Sequence, residues 1–261
     1  MLDGDSMLLA IDIGNTNTVV GGIRDDAVIF TARIDTDSEL STEEYAKSIR
    51  DVLILNESKT ADIEGVIISS VVPKVTKIIS ECSEALFNIN PFVAGGSLKT
   101  GLYTKKVNSS KVGTDRIVTA AAAYYEYKMP IILMDLGTAT TVDAVGSDGC
   151  YLGGCIIPGV NIALKALIEH TAQLPEIELE APECVIGANT VECMQSGMIY
   201  GTASMLDGLI EKISSEMKEK PKVIATGGLA ELIIPHCSTD IIIDDDLMLK
   251  GLNIIYKLNM E

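Results

Sequence analysis

Residues 7–22, MLLAIDIGNTNTVVGG, and residues 131–146, IILMDLGTATTVDAVG, are two versions of one pattern. Each runs from an apolar stretch through Asp-x-Gly and a Thr-rich turn into a second β-branched stretch. Asp12 thus matches Asp135, and Gly14 matches Gly137. The apolar run reads as a buried strand, the small hydroxylated residues as a tight turn, and the Val-rich run as an antiparallel return strand. A repeat of this kind, placed so far apart in the chain, points to a duplicated structural unit.

Reading outward from the first copy, the pattern predicts a third strand near 27–33 and a helix from Ser41, with Glu44 three residues on as a capping box. A strand over 64–70 and a helix from Pro73 follow. The second copy repeats the order, with strands near 131, 140 and 151 and helices after Pro158 and Gly187. A strand at 222–226 and a last helix near 246–258 complete it. Two similar α/β lobes with a cleft between them are the simplest architecture. The loop 95–112, rich in Gly, Ser, Asn and Lys, suggests a boundary that assigns 1–112 to one lobe and 113–261 to the other.

The composition narrows the function classes. With 261 residues, 47% hydrophobic and 22% charged, the chain is long enough for full cores and far from the disordered range. Its formal charge of −17 would repel nucleic acid and anionic lipid surfaces, so neither is an expected partner. The opening MLDGDSMLLAID lacks a basic n-region and its apolar run breaks at Asp12, the pattern of neither a signal peptide nor an anchor. Six cysteines without a C-x2-C pair read as reduced, mostly buried thiols of a cytoplasmic protein. His170 and His236, far apart, offer no metal-ligand spacing. Met194, Met198 and Met205 read as helix core.

Three stretches carry chemistry. In DIGNTNT, Gly14 permits close backbone approach, Asn15, Thr16, Asn17 and Thr18 offer neutral donors, and Asp12 at the strand end could orient Mg²⁺ on phosphates. DLGTATT, Asp135 to Thr141, has the same character, so two hairpins could grip a triphosphate. Between them, KVGTDR places Gly113 at a helix start, Asp115 in the first turn as a candidate proton acceptor, and Arg116 as a donor fork. YLGGCIIPG, through Pro158-Gly159, and IGANT read as substrate-facing helix starts, and in ATGGLA the pair Gly227-Gly228 could let a flat base or ribose approach the backbone closely.

DIGNTNT, GTDR, DLGTATTVD, GGCIIPG, TAQLP at 171–175, IGANTVECMQSG and ATGGLA, in that order, resemble the type III pantothenate kinases of the acetate and sugar kinase, Hsc70 and actin superfamily. The resemblance implies two duplicated actin-like (ribonuclease H-like) lobes with a central cleft. It also implies ATP-dependent phosphorylation of pantothenate, the first step toward coenzyme A. The enzyme would be a cytoplasmic homodimer using Mg²⁺ and a monovalent cation, K⁺ or NH₄⁺. Carried over by position, Asp12, Ile13, Gly14, Asn15, Thr16, Asn17, Thr18 and Val19 resemble the ATP-binding positions, with Thr138. Gly113, Thr114, Asp115, Arg116 and Thr190 resemble the pantothenate contacts, Asp115 the proton acceptor and Asp135 the monovalent-cation ligand.

The sequence departs from the family pattern at two places. Lys106 stands where the family usually has Tyr, seven residues before the motif glycine, and Thr114 stands for the usual Ala. Lys106 is a candidate partner for the pantothenate carboxylate, with Tyr103 the alternative occupant of that place. These departures keep two other readings open: a catalytically altered regulator, and a sister kinase for another hydroxy acid. Residues 99–116 hold Lys99, Lys105, Lys106, Lys111 and Arg116 against Asp115, a local net charge of +4 in an acidic chain. That basic stretch suits anionic substrates.

Overall fold

The computed structural model describes residues 6–95, 98–105, 107 and 112–260. The strands are β1 (Met7–Ile13), β2 (Asn17–Arg24), β3 (Ala27–Asp35), β4 (Ile63–Ser70), β5 (Phe92–Val93), β6 (Tyr103–Thr104), β7 (Ile131–Leu136), β8 (Ala139–Val145), β9 (Cys150–Pro158), β10 (Lys222–Thr226) and β11 (Ile242–Ile243). The helices are α1 (Thr42–Leu55), α2 (Pro73–Phe87), α3 (Thr114–Tyr127), α4 (Val160–Glu169), α5 (Thr190–Met217), α6 (Ala230–Ile233) and α7 (Leu247–Met260).

The duplication read from the two hairpins extends to whole sheets. One sheet has the order β3-β2-β1-β4-β5 and the other β11-β10-β7-β8-β9-β6, so apart from the edge strand β6 they share one topology. In both, the first strand is antiparallel to its hairpin partner and parallel to the strand on its other side. Even the register shift in the outer hairpin recurs, at Gly22/Ile23 and at Ala144/Val145.

Two compact units result, but they are not consecutive halves. Unit 1 is 1–103, 108–122 and 246–261, and unit 2 is 104–107 and 123–245. A single cut after residue 112 therefore differs from this division in three places: 104–107 falls in the second unit, α3 is shared, and the last helix returns to the first sheet. The return has a physical cause. Leu8, Ala10, Ile23 and Ile67 present an apolar sheet face, and α7 covers it with Leu249, Leu252 and Ile255 while Val118 of α3 joins them. The opposite face buries Leu9, Ile11, Val66 and Ile68 against Tyr45 and Ile49 of α1 and Val75 and Ile79 of α2. Sequence position says nothing about which sheet a terminal amphipathic helix will cover.

Local signals fix the helix starts. Ser41 caps α1 and Glu44 reaches back to the Ser41 amide, the reciprocal box predicted from the spacing. In unit 2, Ile132, Met134, Leu136 and Val142 pack on Ile199, Ala203 and Leu206 of α5. Of the three methionines expected in the core, Met194 is buried and Met198 packs on the core, but Met205 is exposed on the outer side of α5. All six cysteines are free. Only Cys82 and Cys150 are buried, while Cys184 and Cys193 are exposed, which corrects the expectation of mostly buried thiols. Burial pushes the Cys82 and Cys237 thiols up to about 11.

A polar tether pins α7 to the β2–β3 turn: Asn253 Nδ2 donates to Asp26 Oδ1 at 2.7 Å, and Lys257 ion-pairs with the same carboxylate. The Lys257 and Asn253 contacts hold the Asp26 carboxyl below its ordinary value of 3.8. Because the folded carboxyl titrates below the unfolded one, the tether is fully present above pH ~4 and is lost as pH falls through the folded value. Asp26→Asn is expected to lower Tm modestly at pH 7, and the gap to the parent should close toward pH 3; melting curves across that range check it.

Candidate functional site

In unit 1 the first hairpin is closed by the Gly14 amide donating to the Asn17 carbonyl at 3.0 Å. A Cβ on Gly14 would stand 3.0 Å from that same oxygen. The turn leaves Asn15, Thr16 and Asn17 exposed at its tip. Ile13 and Thr18, cross-strand partners at its base, are buried, and the Thr18 hydroxyl is engaged with the Thr36 hydroxyl at 2.8 Å. The Thr36 amide also donates to the Thr16 carbonyl, so β3 braces the turn. Asn15, Thr16 and Asn17 thus present their side chains to solvent, while the Ile13 and Thr18 side chains face inward. Asp12 is half-buried at the end of β1, paired with Val19 on one side and Ser69 on the other.

Helix α3 begins over the same end of that sheet. Val118 packs with Ala10, Ile67 and Ala94, and Asp115 lies three residues before it, on the same helix face one turn closer to the N-terminus. A Cβ on Gly95, just past β5, would meet Thr114 Oγ1 at 3.1 Å, so the first turn of α3 stands at the C-terminal ends of β4 and β5. The role of Gly113 is visible here: a Cβ on it would lie 2.4 Å from Asp115 Oδ1. Any side chain there would force the carboxylate to shift from its place, where it accepts the Arg116 amide at 2.9 Å and stays half-buried. A carboxylate set among helix N-terminal amides is an arrangement that can receive an anionic group and accept a proton from a hydroxyl.

Unit 2 repeats the hairpin. Gly137 N–H donates to the Ala139 carbonyl at 3.2 Å, Thr138 is exposed at the tip, and Asp135 is half-buried at the strand end. Gly227, half of the pair read as a close-approach position, gains a partner, and so does Gly159. A Cβ on Gly159 would fall 2.2 Å from the Thr138 carbonyl oxygen. One on Gly227, whose φ is +97°, would fall 2.5 Å from Asp135 Oδ1. Thr190 is exposed in the first turn of α5. Asn189 caps that helix, accepting the Glu192 amide at 3.1 Å, and Glu192 in turn accepts the Ala188 amide at 2.7 Å.

The basic stretch is only partly described. Lys105 ion-pairs with Asp148 at 2.9 Å, whereas Lys106 and Lys111 lie outside the described residues. Two buried groups escaped the sequence reading. Asp143 is fully buried and accepts the Tyr151 hydroxyl, and the Ser69 hydroxyl is buried with no hydrogen-bond partner among the described residues. Among the described residues no group of three His, Cys, Asp or Glu is clustered to hold a metal ion, and no helix is long and apolar enough to cross a membrane.

A family model described as type III pantothenate kinase matches residues 8–212. A protein from Halalkalibacterium halodurans named type III pantothenate kinase is 41% identical over 254 residues, covering 97% of this chain and all of that one. Among solved structures, one from Campylobacter jejuni described as a Baf family transcriptional activator superposes with a TM-score of 0.60 at 18% identity, covering 97% of this chain and 98% of that one. A ROK family protein from Streptococcus pneumoniae superposes with a TM-score of 0.53 at 11% identity, covering 98% of this chain and 100% of that one. These structural likenesses speak for the fold alone.

Proposed function

The chain belongs to the type III pantothenate kinase family, and on that premise we propose that it transfers the γ-phosphoryl group of ATP to the primary hydroxyl of pantothenate, the first step toward coenzyme A. The observation that carries the reading is the placement of Asp115. The first turn of α3 stands over the same sheet end that carries Asp12 and the DIGNTNT turn, within one compact unit.

In this reading the exposed tip of the first hairpin, with Asn15, Thr16 and Asn17, holds phosphate oxygens through neutral donors and the Gly14 backbone. Ile13, Thr18 and Val19 contribute main-chain groups, and Thr138 plays the matching part in unit 2. Asp115 accepts the proton of the pantothenate hydroxyl as it attacks, and Gly113, Thr114, Arg116 and Thr190 contact the substrate. Phosphoryl transfer asks mainly for positioning and charge neutralisation, which this set supplies.

Kinases of this family take ATP with a divalent cation, and the residues fit Mg²⁺: a half-buried Asp12 carboxylate beside a buried hydroxyl that has no partner among the described residues is a hard-oxygen environment. When bound, Mg²⁺ neutralises charge on the transferring phosphate. Asp135, held against the Gly227 backbone, is the corresponding position for K⁺ or NH₄⁺. Exposed Leu152, Ile156, Val185 and Ile186 support a homodimer, and six unpaired thiols support a cytoplasmic location.

ADP release from purified protein with ATP, Mg²⁺ and K⁺ tests the function. Turnover should require pantothenate. Dependence on a different hydroxy acid would point to the sister-kinase reading, and no turnover with any acceptor to a regulator. In the same assay Lys106→Ala should raise KM for pantothenate about tenfold with kcat nearly unchanged, as loss of one charge-assisted contact does.

A further inference from the structure

Ser69 sits at 0% exposure, and its Oγ has no hydrogen-bond partner among the described residues. Leaving a buried hydroxyl unsatisfied is unfavourable, so its retention calls for an explanation in what it faces. Strand register supplies one. Ser69 is the direct parallel partner of Asp12, as Ile67 is of Ala10 two residues earlier. Paired residues on neighbouring strands share a face, so Asp12 and Ser69 continue the row set by Ala10 and Ile67, the row that packs on Val118. Ala94, whose amide bonds to the Ile68 carbonyl, extends the row on the far side. The hydroxyl therefore lies beside the Asp12 carboxylate on the sheet face where the first turn of α3 brings Asp115. The second unit has the same arrangement, with the buried Thr226 paired to Asp135.

We propose that Ser69 is a positioning residue for the divalent cation: closed to water in the chain alone, its Oγ takes up a water of the hydrated ion when the ion binds through Asp12. Mg²⁺ keeps several waters when it binds through one or two carboxylates and substrate phosphates, and each water in a dry site needs a protein partner. A serine hydroxyl can donate and accept, and this one is committed to nothing else. The inference rests on Asp12 as the metal-side carboxylate, so the experiment separates the two.

Mn²⁺ binding is measured by electron paramagnetic resonance in the presence of ADP, for the parent, Ser69→Ala and Asp12→Asn. Ser69→Ala is expected to weaken Mn²⁺ binding about tenfold, to leave KM for pantothenate unchanged, and to keep or raise Tm, since it removes an unsatisfied buried group. Unchanged Mn²⁺ affinity in Ser69→Ala alongside a loss in Asp12→Asn would overturn the Ser69 role alone. Unchanged affinity in Asp12→Asn would overturn the placement of the cation and the Ser69 role with it. A Tm drop of more than a few degrees in Ser69→Ala would show the hydroxyl to be a structural partner and overturn the proposal as well.

Discussion

Asp115→Asn should lower kcat by about 10²–10⁴, the range general-base catalysis contributes, which corresponds to about 3–5 kcal/mol of barrier. Asn keeps the size and the acceptor oxygen that receives the Arg116 amide, so α3 should start normally and Tm should change little. It cannot accept the proton of the attacking hydroxyl. ATP binding, which the proposed mechanism places at the hairpin turns, should persist, and equilibrium titration with ATP alongside steady-state kinetics checks both halves. A variant that kept parental turnover would remove Asp115 from the mechanism. Gly113→Ala offers a companion test with a different cause. Its Cβ would push directly on Asp115 Oδ1, so kcat should fall although every polar group remains.

Gly227→Ala should be strongly destabilising. The residue has φ +97°, a conformation that disfavours any side chain, and the new Cβ would lie 2.5 Å from Asp135 Oδ1 and 2.7 Å from the Leu136 amide nitrogen. Backbone strain and overpacking together cost about 2–4 kcal/mol, or roughly 5–15 °C of Tm for a chain of this size. If Asp135 holds the monovalent cation, as proposed, the clash on its carboxylate should also shift the K⁺ concentration for half-maximal activity upward. Gly201→Ala provides the contrast. It sits in α5 with nothing within 4 Å of its would-be Cβ, and helix propensity alone should raise stability by about 0.5–1 kcal/mol. Differential scanning fluorimetry of the pair, with a K⁺ titration of activity, decides both.

The parts of the fold that were legible in the sequence are those whose cause is local. Asp-x-Gly between apolar runs makes a hairpin wherever it stands, Ser41 and Glu44 close a capping box within one turn, and Gly113 before Asp115 opens a helix. The matched Asp12 and Asp135 revealed the duplication because a tight turn constrains residue types strongly. Non-local consequences were not legible. Ser69 reads as one more small residue in ISS until the parallel register sets it beside Asp12, and parallel pairing leaves no mark on sequence spacing. Gly227 announces a close approach without saying to what. Thr18 illustrates the reverse: it belongs to a turn rich in donors, yet strand alternation turns its side chain inward to Thr36. The destination of α7 depended on which apolar sheet face was left uncovered, a property of the assembled unit and not of any segment.

That destination bears on how the protein is made. The strands of the first sheet leave the ribosome early, but the helix that covers the face formed by Leu8, Ala10, Ile23 and Ile67 is synthesised only after the entire second unit. At about 5–20 residues per second, roughly 140 intervening residues leave that face waiting about 7–30 s. During synthesis the second unit, whose main segment is one continuous stretch of chain, can finish first, and the nascent first unit is the natural client for chaperone protection.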